Sequence, residues 1–416
     1  MRRSSSTSSA VHTNVAILFL QYVNSRRLGF IWRIGFFVVS MKVNRRCRVS
    51  IKRSTMRRCV TTLCAAKAKP LPSERLTAKG TPFESVSREV AAIRTHIHSL
   101  VTKPQNDILD HAAKYVLASP GKLLRPALVT LMAHATLPEA TLAKIDRSQP
   151  ITNLDDLDAN PLGRHLRLAE VTELIHTASL VHDDVIDHSD VRRGRPALHI
   201  ELDSTKLAVL AGDFLLARAS YWIATLGSAE VVILMTQALE DLSNGEIMQH
   251  QGCFDIKSYT EKSYCKTAAL IDRSLSSAAV LSEPNKPAYA NAAKEYGKCL
   301  GIAFQIVDDC LDVTGSEEQL GKPKLNDLKE GVATLPVLLA AEKDSMLKDV
   351  IRRKFTQEGD VERAVNGIHQ YNTVPEALAI ADAYCKSAIN ALDALHESPA
   401  RKALKDAVEV ILTRQA

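Results

Sequence analysis

The sequence predicts an all-α protein, a single helix bundle, and three observations carry that expectation. Aromatic residues make up only 5% of the 416 residues while Ala and Leu are abundant, a composition that favours helix. The apolar residues fall in long segments, such as "RPALVTLMAHA", "LAVLAGDFLLARASYWIATL", "VVILMTQALEDLSNGEIMQH", "KTAALIDRSLSSAAVLS" and "LGIAFQIVDDCLDV". Each is long enough for three or more helical turns and too long for an ordinary strand. No alternating pattern of the hairpin kind interrupts them.

From the N-terminus, the first element is a basic extension. Residues 1–73 contain 15 Lys and Arg and no Asp or Glu, leaving 38 basic against 47 acidic residues, a net of −9, for the remainder. The overall charge of +6 is therefore no sign of a nucleic-acid partner. An Arg- and Ser-rich, acid-free leader has the composition of an organelle transit peptide, with mitochondrial import the expected destination. Met41 or Met56 is an alternative initiator, and "MRRCVTTLCAAKAK" from Met56 makes a short presequence by itself. The apolar patches "VAILFLQYV" and "LGFIWRIGFFVV" fall short of the ~20 residues of a membrane span.

The body, residues 74–416, opens on the linker "KPLPSERLTAKGTP", and helical periodicity begins near Phe83. Residues 137–163, "LPEATLAKIDRSQPITNLDDLDANPLG", are polar and contain Pro and Asn, which reads as a surface insertion between two helices. None of the eight cysteines forms a Cys-x-x-Cys pair, so free thiols in a reducing compartment are expected.

Two acidic clusters dominate the body. "LVHDDVID" places Asp183, Asp184 and Asp187 at the end of an apolar helical run, and "FQIVDDCLD" repeats the pattern with Asp308, Asp309 and Asp312. Positions i and i+4 share a helix face. Six carboxylates meeting at one cavity mouth repel one another unless cations answer them. Oxygen ligands suit Mg²⁺, which prefers a site shared with substrate phosphates. A di-iron site would need a partner for the Glu-x-x-His of "ELIH", Glu173 to His176, and "EIMQH" has the wrong spacing. Basic residues stand beside the clusters: Lys122 and Arg125 in "SPGKLLRP", Arg192 and Arg193 in "DVRRGRP", and Lys266 with Thr267 in "CKTAAL". Arg suits bidentate phosphate contact, and Lys acts as a point charge.

These landmarks, in the order "GKLLRP", "ELIHTASLVHDDVIDHSDVRRGRP", "AGDFLLA", "GEIMQ", "KTAAL", "FQIVDDCLD" and "LGKPKLNDLKEGVATLP", resemble the trans-isoprenyl (polyprenyl) diphosphate synthases from about residue 84 onward. The resemblance implies the isoprenoid synthase fold, antiparallel helices around a deep central cavity. It implies that Asp183, Asp184, Asp187, Asp308, Asp309 and Asp312 hold Mg²⁺ on an allylic diphosphate. By the same resemblance Lys122, Arg125, His176 and Arg193 bind isopentenyl diphosphate. Arg192, Lys266 and Lys322 match positions that touch the allylic diphosphate, and Thr267 and Gln305 match polar groups near the developing carbocation. The implied reaction is head-to-tail condensation of isopentenyl diphosphate onto an allylic prenyl diphosphate. A homodimer is the implied assembly, with a heteromer as the alternative, and a peripheral membrane contact is expected for release of the product.

Chain length is read from the helix carrying the first cluster. Ala178 and Ser179, five and four residues before Asp183, are small where short-chain relatives tend to place an aromatic floor. The next level is Ile175. Each further turn adds about 5.4 Å of depth, so a long product of about C30 to C50, centred on a solanesyl-like C45, is expected. Val332 stands where short-chain relatives carry Lys. A mitochondrial product of that length would supply the ubiquinone side chain. The alternatives are a farnesyl or geranylgeranyl diphosphate synthase, a non-catalytic subunit of a heteromeric synthase, and a terpene cyclase. The last two usually lose one of the aspartate motifs, and both are present here.

Overall fold

The computed structural model describes residues 75–101, 106–118, 121–146, 151, 154–158, 160–315 and 325–413. The basic leader, with its reading as a transit peptide, and Lys322 lie outside them. Among the described residues there are fourteen helices of eight residues or more. They are α1 (Ser87–His96), α2 (Asp107–Leu117), α3 (Leu124–Thr136), α4 (Gly163–Ile186), α5 (Thr205–Thr225), α6 (Ala229–Gln251) and α7 (Ile256–Ser263). There follow α8 (Ala269–Ser282), α9 (Pro287–Thr314), α10 (Leu335–Lys343), α11 (Ser345–Arg352), α12 (Asp360–Gln370), α13 (Thr373–Ala391) and α14 (Pro399–Thr413).

Helix starts follow local chemistry. Asn106, Ser204 and Ser228 accept backbone N–H bonds at the starts of α2, α5 and α6. Asp255 and Ser258 form a reciprocal capping box on α7. Pro287 opens α9 at a position where its missing N–H is harmless.

The centre is built from α3, α4 and α8, which pack on one another, with α5 against α4, α6 against α8, and α9 between α8 and α13. Every residue of α3 from Pro126 to Thr136 is buried, and so is every residue of α4 from His165 to Ile175. A helix apolar and buried all round has no solvent face to show in its sequence pattern. The buried polar groups in α4 are answered. Arg167 Nε donates to Glu170 at 3.0 Å and its Nη2 to the Leu154 carbonyl at 2.7 Å, while His96 meets Glu170 at 2.7 Å. Leu154 and Leu162, inside the polar stretch 137–163, are themselves buried.

Side-chain pairs fix the direction of the packing. His182 lies 3.1 Å from the Val209 carbonyl while Arg167 stacks on Trp222 at 4.1 Å, so α4 and α5 are antiparallel. Thr172 bonds Ser274 at 2.9 Å and His165 bonds Ser282 at 3.0 Å, so α4 and α8 are antiparallel too. Gly297 faces Asp272 and Gly301 faces Ala268, which runs α9 against α8. The C-terminal ends of α4 and α9 and the start of α8 therefore share one end of the bundle.

Two features differ from the sequence expectation. A short antiparallel hairpin follows α4, pairing Val191 with Pro196 and Arg192 with Arg195. Its turn residues Arg193 and Gly194 both have positive φ, +52° and +73°, the geometry that suits a two-residue hairpin. Between α7 and α8 the helix widens into one π turn, Tyr264–Ala268. Such turns concentrate at functional sites because they re-aim side chains without ending the helix.

Candidate active site

The end of the bundle where α4, α8 and α9 meet collects the residues singled out above. Asp183, Asp184 and Asp187 occupy the last turn of α4, and Asp308, Asp309 and Asp312 the end of α9. The π turn stands between the two clusters. Gly245 on α6 and Gly301 on α9 clamp it from two sides: a Cβ on Gly245 would lie 2.7 Å from the Lys266 nitrogen, and one on Gly301 would collide with the Ala268 Cα. From this turn Lys266 reaches Glu246 at 2.7 Å. Burial works to lower the Lys266 pKa, but Asp183, Glu246 and Asp187 together raise it above its ordinary value. The next residue, Thr267, donates to Gln305 Oε1 on α9 at 2.7 Å.

Burial separates the six aspartates into two groups that their spacing does not distinguish. Asp183, Asp187 and Asp308 are half-buried, whereas Asp184, Asp309 and Asp312 are buried. Each of the buried three is engaged. Asp184 accepts from Arg192 Nε at 2.8 Å and also from its Nη2. Asp309 accepts from Tyr259 at 2.7 Å and from Gln305 Nε2 at 2.8 Å. Asp312 accepts from the Asp327 N–H at 3.4 Å, which ties the returning chain to α9. By exposure, the half-buried three are better placed to meet an incoming ion. Burial, with Glu246 and Asp187 nearby, pushes the Asp183 carboxyl up to about 6 against the pull of Lys266.

Among the described residues no three His, Cys, Asp or Glu side chains form a ready-made metal cage. Hard oxygen donors presented in ones and twos still fit Mg²⁺, which keeps waters and completes its shell with phosphate oxygens. Asp183, Asp187 and Asp308 would hold it.

A cationic face adjoins the first cluster. Leu123, with φ +56°, turns the chain into α3 between Lys122 and Arg125. Arg193 packs its guanidinium on Gly121, where a Cβ would lie 2.6 Å from Nη2. The hairpin carrying Arg192 and Arg193 is held by Tyr115, whose hydroxyl donates to the Pro196 carbonyl at 2.8 Å and whose ring lies 4.0 Å from the Arg195 guanidinium. Burial, then Arg125, Arg193 and Arg192, hold the His176 imidazole well below its usual pKa. It is therefore neutral at pH 7 and can still donate one hydrogen bond.

Three functional neighbours were missed by sequence reasoning. Tyr259 sits in a polar stretch with no motif of its own, and Glu246 entered only as part of "GEIMQ" and, in "EIMQH", as an iron ligand of the wrong spacing. Glu173 was weighed only as an iron ligand. It is buried on α4 between Arg125 and Arg193, and burial raises its carboxyl while both arginines oppose the rise. It is the counter-charge to those guanidiniums before any anion arrives. Because the net shift of its carboxyl is upward, Glu173→Gln is expected to raise the melting temperature of the substrate-free protein at pH 7 and to tighten inorganic pyrophosphate binding several-fold, since a like charge is removed. Thermal shift with and without pyrophosphate reads both; unchanged affinity would remove Glu173 from this face.

Ile175 and Ala178 have no exposed surface and lie in the main core, while Ser179 is half-buried and its hydroxyl donates to the His176 carbonyl at 2.9 Å.

Known proteins similar to this chain make or transfer prenyl groups by name. The polyprenyl synthetase family model matches residues 106–368. The chain is 39% identical over 338 residues to solanesyl diphosphate synthase 1, chloroplastic, of Arabidopsis thaliana, covering 80% of this chain and 79% of that protein. It is 41% identical over 358 residues to a probable mitochondrial hexaprenyl pyrophosphate synthase of Neurospora crassa, covering 78% and 79%. The solved polyprenyl synthase of Caulobacter crescentus, complexed with calcium and isoprenyl diphosphate, superposes with a TM-score of 0.68 at 29% identity, over 84% of this chain and all of that one.

Proposed function

The chain belongs to the polyprenyl synthetase family and is a prenyltransferase that makes long trans-polyprenyl diphosphates, and on that premise we propose a solanesyl-like product of about C45, made in mitochondria for the ubiquinone side chain. The observation that carries the reading is the π turn, from which Lys266 pairs with Glu246 within the field of Asp183 and Asp187, and Thr267 bonds Gln305, itself bonded to Asp309. Lys122, Arg125, His176 and Arg193 bind isopentenyl diphosphate. Arg192 and Lys266, with Lys322, bind the allylic diphosphate. Mg²⁺, when bound by Asp183, Asp187 and Asp308, supplies charge that stabilises the departing pyrophosphate. The arginines and Lys266 hold that leaving group in place, and the apolar interior keeps water from the cation. Attack by the double bond of isopentenyl diphosphate forms the new C–C bond. The proton then lost goes to the pyrophosphate. The test is product analysis: the purified chain with labelled isopentenyl diphosphate, Mg²⁺ and farnesyl or geranylgeranyl diphosphate should give a ladder ending near C45. Termination at C20 from farnesyl diphosphate, with no extension of geranylgeranyl diphosphate, would overturn the long-chain reading.

We also propose a homodimer joined through α5 and α6. Leu210 and Tyr221 on α5 are 46% and 56% exposed, and Ile233 and Ile247 on α6 are 57% and 55% exposed. The α5 sequence is apolar enough to cross a membrane, yet its other face packs on α4. An exposed apolar stripe of this kind on a bundle marks an interface. The double variant Leu210→Glu, Ile233→Asp is expected to halve the mass measured by light scattering and leave the helical circular dichroism unchanged. An unchanged mass would refute this face.

A further inference from the structure

A continuous line of hydrogen bonds runs from α7 through α9 to the π turn. The Tyr259 hydroxyl donates to Asp309 Oδ2 at 2.7 Å, Gln305 Nε2 donates to Asp309 Oδ1 at 2.8 Å, and Thr267 Oγ1 donates to Gln305 Oε1 at 2.7 Å. Asp309 is almost wholly buried, and so is Tyr259, whose ring lies 5.0 Å from the buried Lys262 ammonium. With both oxygens accepting bonds inside the protein, Asp309 is placed differently from Asp183, Asp187 and Asp308.

We propose that Asp309 and Tyr259 are positioning residues that lock the Gln305 carboxamide in one orientation, so that oxygen lone pairs and not N–H groups face the allylic carbon. The proposal rests on the prenyl-transfer reading above. The argument is one of hydrogen-bond polarity. Both Asp309 oxygens accept, Oδ2 from the Tyr259 hydroxyl and Oδ1 from Gln305, so the amide turns its NH₂ towards it. The shape of a carboxamide does not distinguish its two ends; its partners do. Asp309 therefore turns Gln305 Oε1 the other way, where it takes the single hydroxyl proton of Thr267. The free capacity left on Thr267 Oγ1 is lone pairs alone. Positive charge developing at the allylic carbon is stabilised by such oxygens and opposed by an N–H. Were the amide reversed, its NH₂ would face Thr267, whose hydroxyl proton would then point outwards. Tyr259 occupies the second Asp309 oxygen and holds the carboxylate plane, which keeps Oδ1 aimed at Gln305.

The test compares steady-state kinetics of the full chain carrying Asp309→Asn, Gln305→Leu and both. An asparagine can present N–H to Gln305 and so reverse it. The expected result for Asp309→Asn is a fall of about 10²-fold in kcat. KM for both substrates and the half-saturating Mg²⁺ concentration should stay within about twofold of the parent. In the Gln305→Leu background, Asp309→Asn should add less than about twofold, because it acts through the missing group. A shift of tenfold or more in half-saturating Mg²⁺ would mark Asp309 as a metal ligand and overturn the proposal. Additive losses, or a fully active Asp309→Asn, would overturn it as well. If Asp309→Asn does not fold, Tyr259→Phe, which keeps the ring, carries the same comparison with Gln305→Leu. A parent chain without prenyl transfer would sink the function and this proposal together, whereas an active parent with an indifferent Asp309 sinks the relay alone.

Discussion

Asp183→Asn is expected to lower prenyl transfer by at least about 10³-fold while making the metal-free protein more stable. Both effects have one cause. Asp183 is packed at the end of α4, where burial, with Glu246 and Asp187 nearby, pushes its carboxyl up to about 6, above the ordinary aspartate range. A raised carboxyl pKa means the folded state holds the proton more tightly than the unfolded one. Its favourable contribution is complete below about pH 4 and is lost as pH rises through about 6. At pH 7 the ionised group therefore strains the metal-free fold by on the order of 1 kcal/mol, after discounting for its partial exposure. The amide removes that strain and also removes the ligand charge. Scanning calorimetry in chelator at pH 7 should show a melting temperature a few degrees higher for the variant, with the gain vanishing near pH 4. In saturating Mg²⁺ and pyrophosphate the order should reverse. A variant of normal turnover would refute the metal assignment. One that melts lower in chelator would refute the account of charge strain.

Ser179→Phe and Ala178→Phe should convert a long-chain product into a short one, and their stabilities should tell the two positions apart. Ala178 has no exposed surface, so a ring there overpacks the core at about 1–3 kcal/mol. Ser179 is half-buried, so a ring there displaces less of the core. Both variants, primed with a C5 allylic diphosphate, should accept the first additions and then stop at about C15 to C20, about three to four isoprene units in all. Only Ala178→Phe should lose several degrees of melting temperature. Dephosphorylated products sized by chromatography decide the matter: a ladder still ending near C45 in both variants would show that the tail does not pass these side chains.

Much of this site was legible because carboxylates are rarely placed in apolar helical runs without reason. "LVHDDVID" and "FQIVDDCLD" break that rule twice, and the antiparallel packing of α4, α8 and α9 brings both to one end. Spacing alone treated the six aspartates alike. The burial of Asp184, Asp309 and Asp312 depends on residues far along the chain, Arg192, Tyr259, Gln305 and Asp327, which no local pattern connects. The hairpin at Val191–Pro196 was hidden because two-residue strands have no alternation to detect and its turn is Arg-Gly in place of the usual Asn-Gly. Tyr259 lies in "SYTEKS", which reads as a solvated helix face until α9 is laid against it. The π turn has no sequence signature either, since one extra residue in a helix leaves the hydrophobic period almost unchanged over a short window.

That extra residue also constrains how the family can drift. Deleting any one residue within Tyr264–Ala268 would restore regular α-helix and satisfy the local backbone at least as well. It would also rotate everything upstream by about 100° relative to α8. Lys266 could no longer face Glu246 while Thr267 faces Gln305. A single-codon deletion here is thus expected to abolish prenyl transfer, and to cost stability as well, because the upstream α7 carries the buried Tyr259 that bonds Asp309.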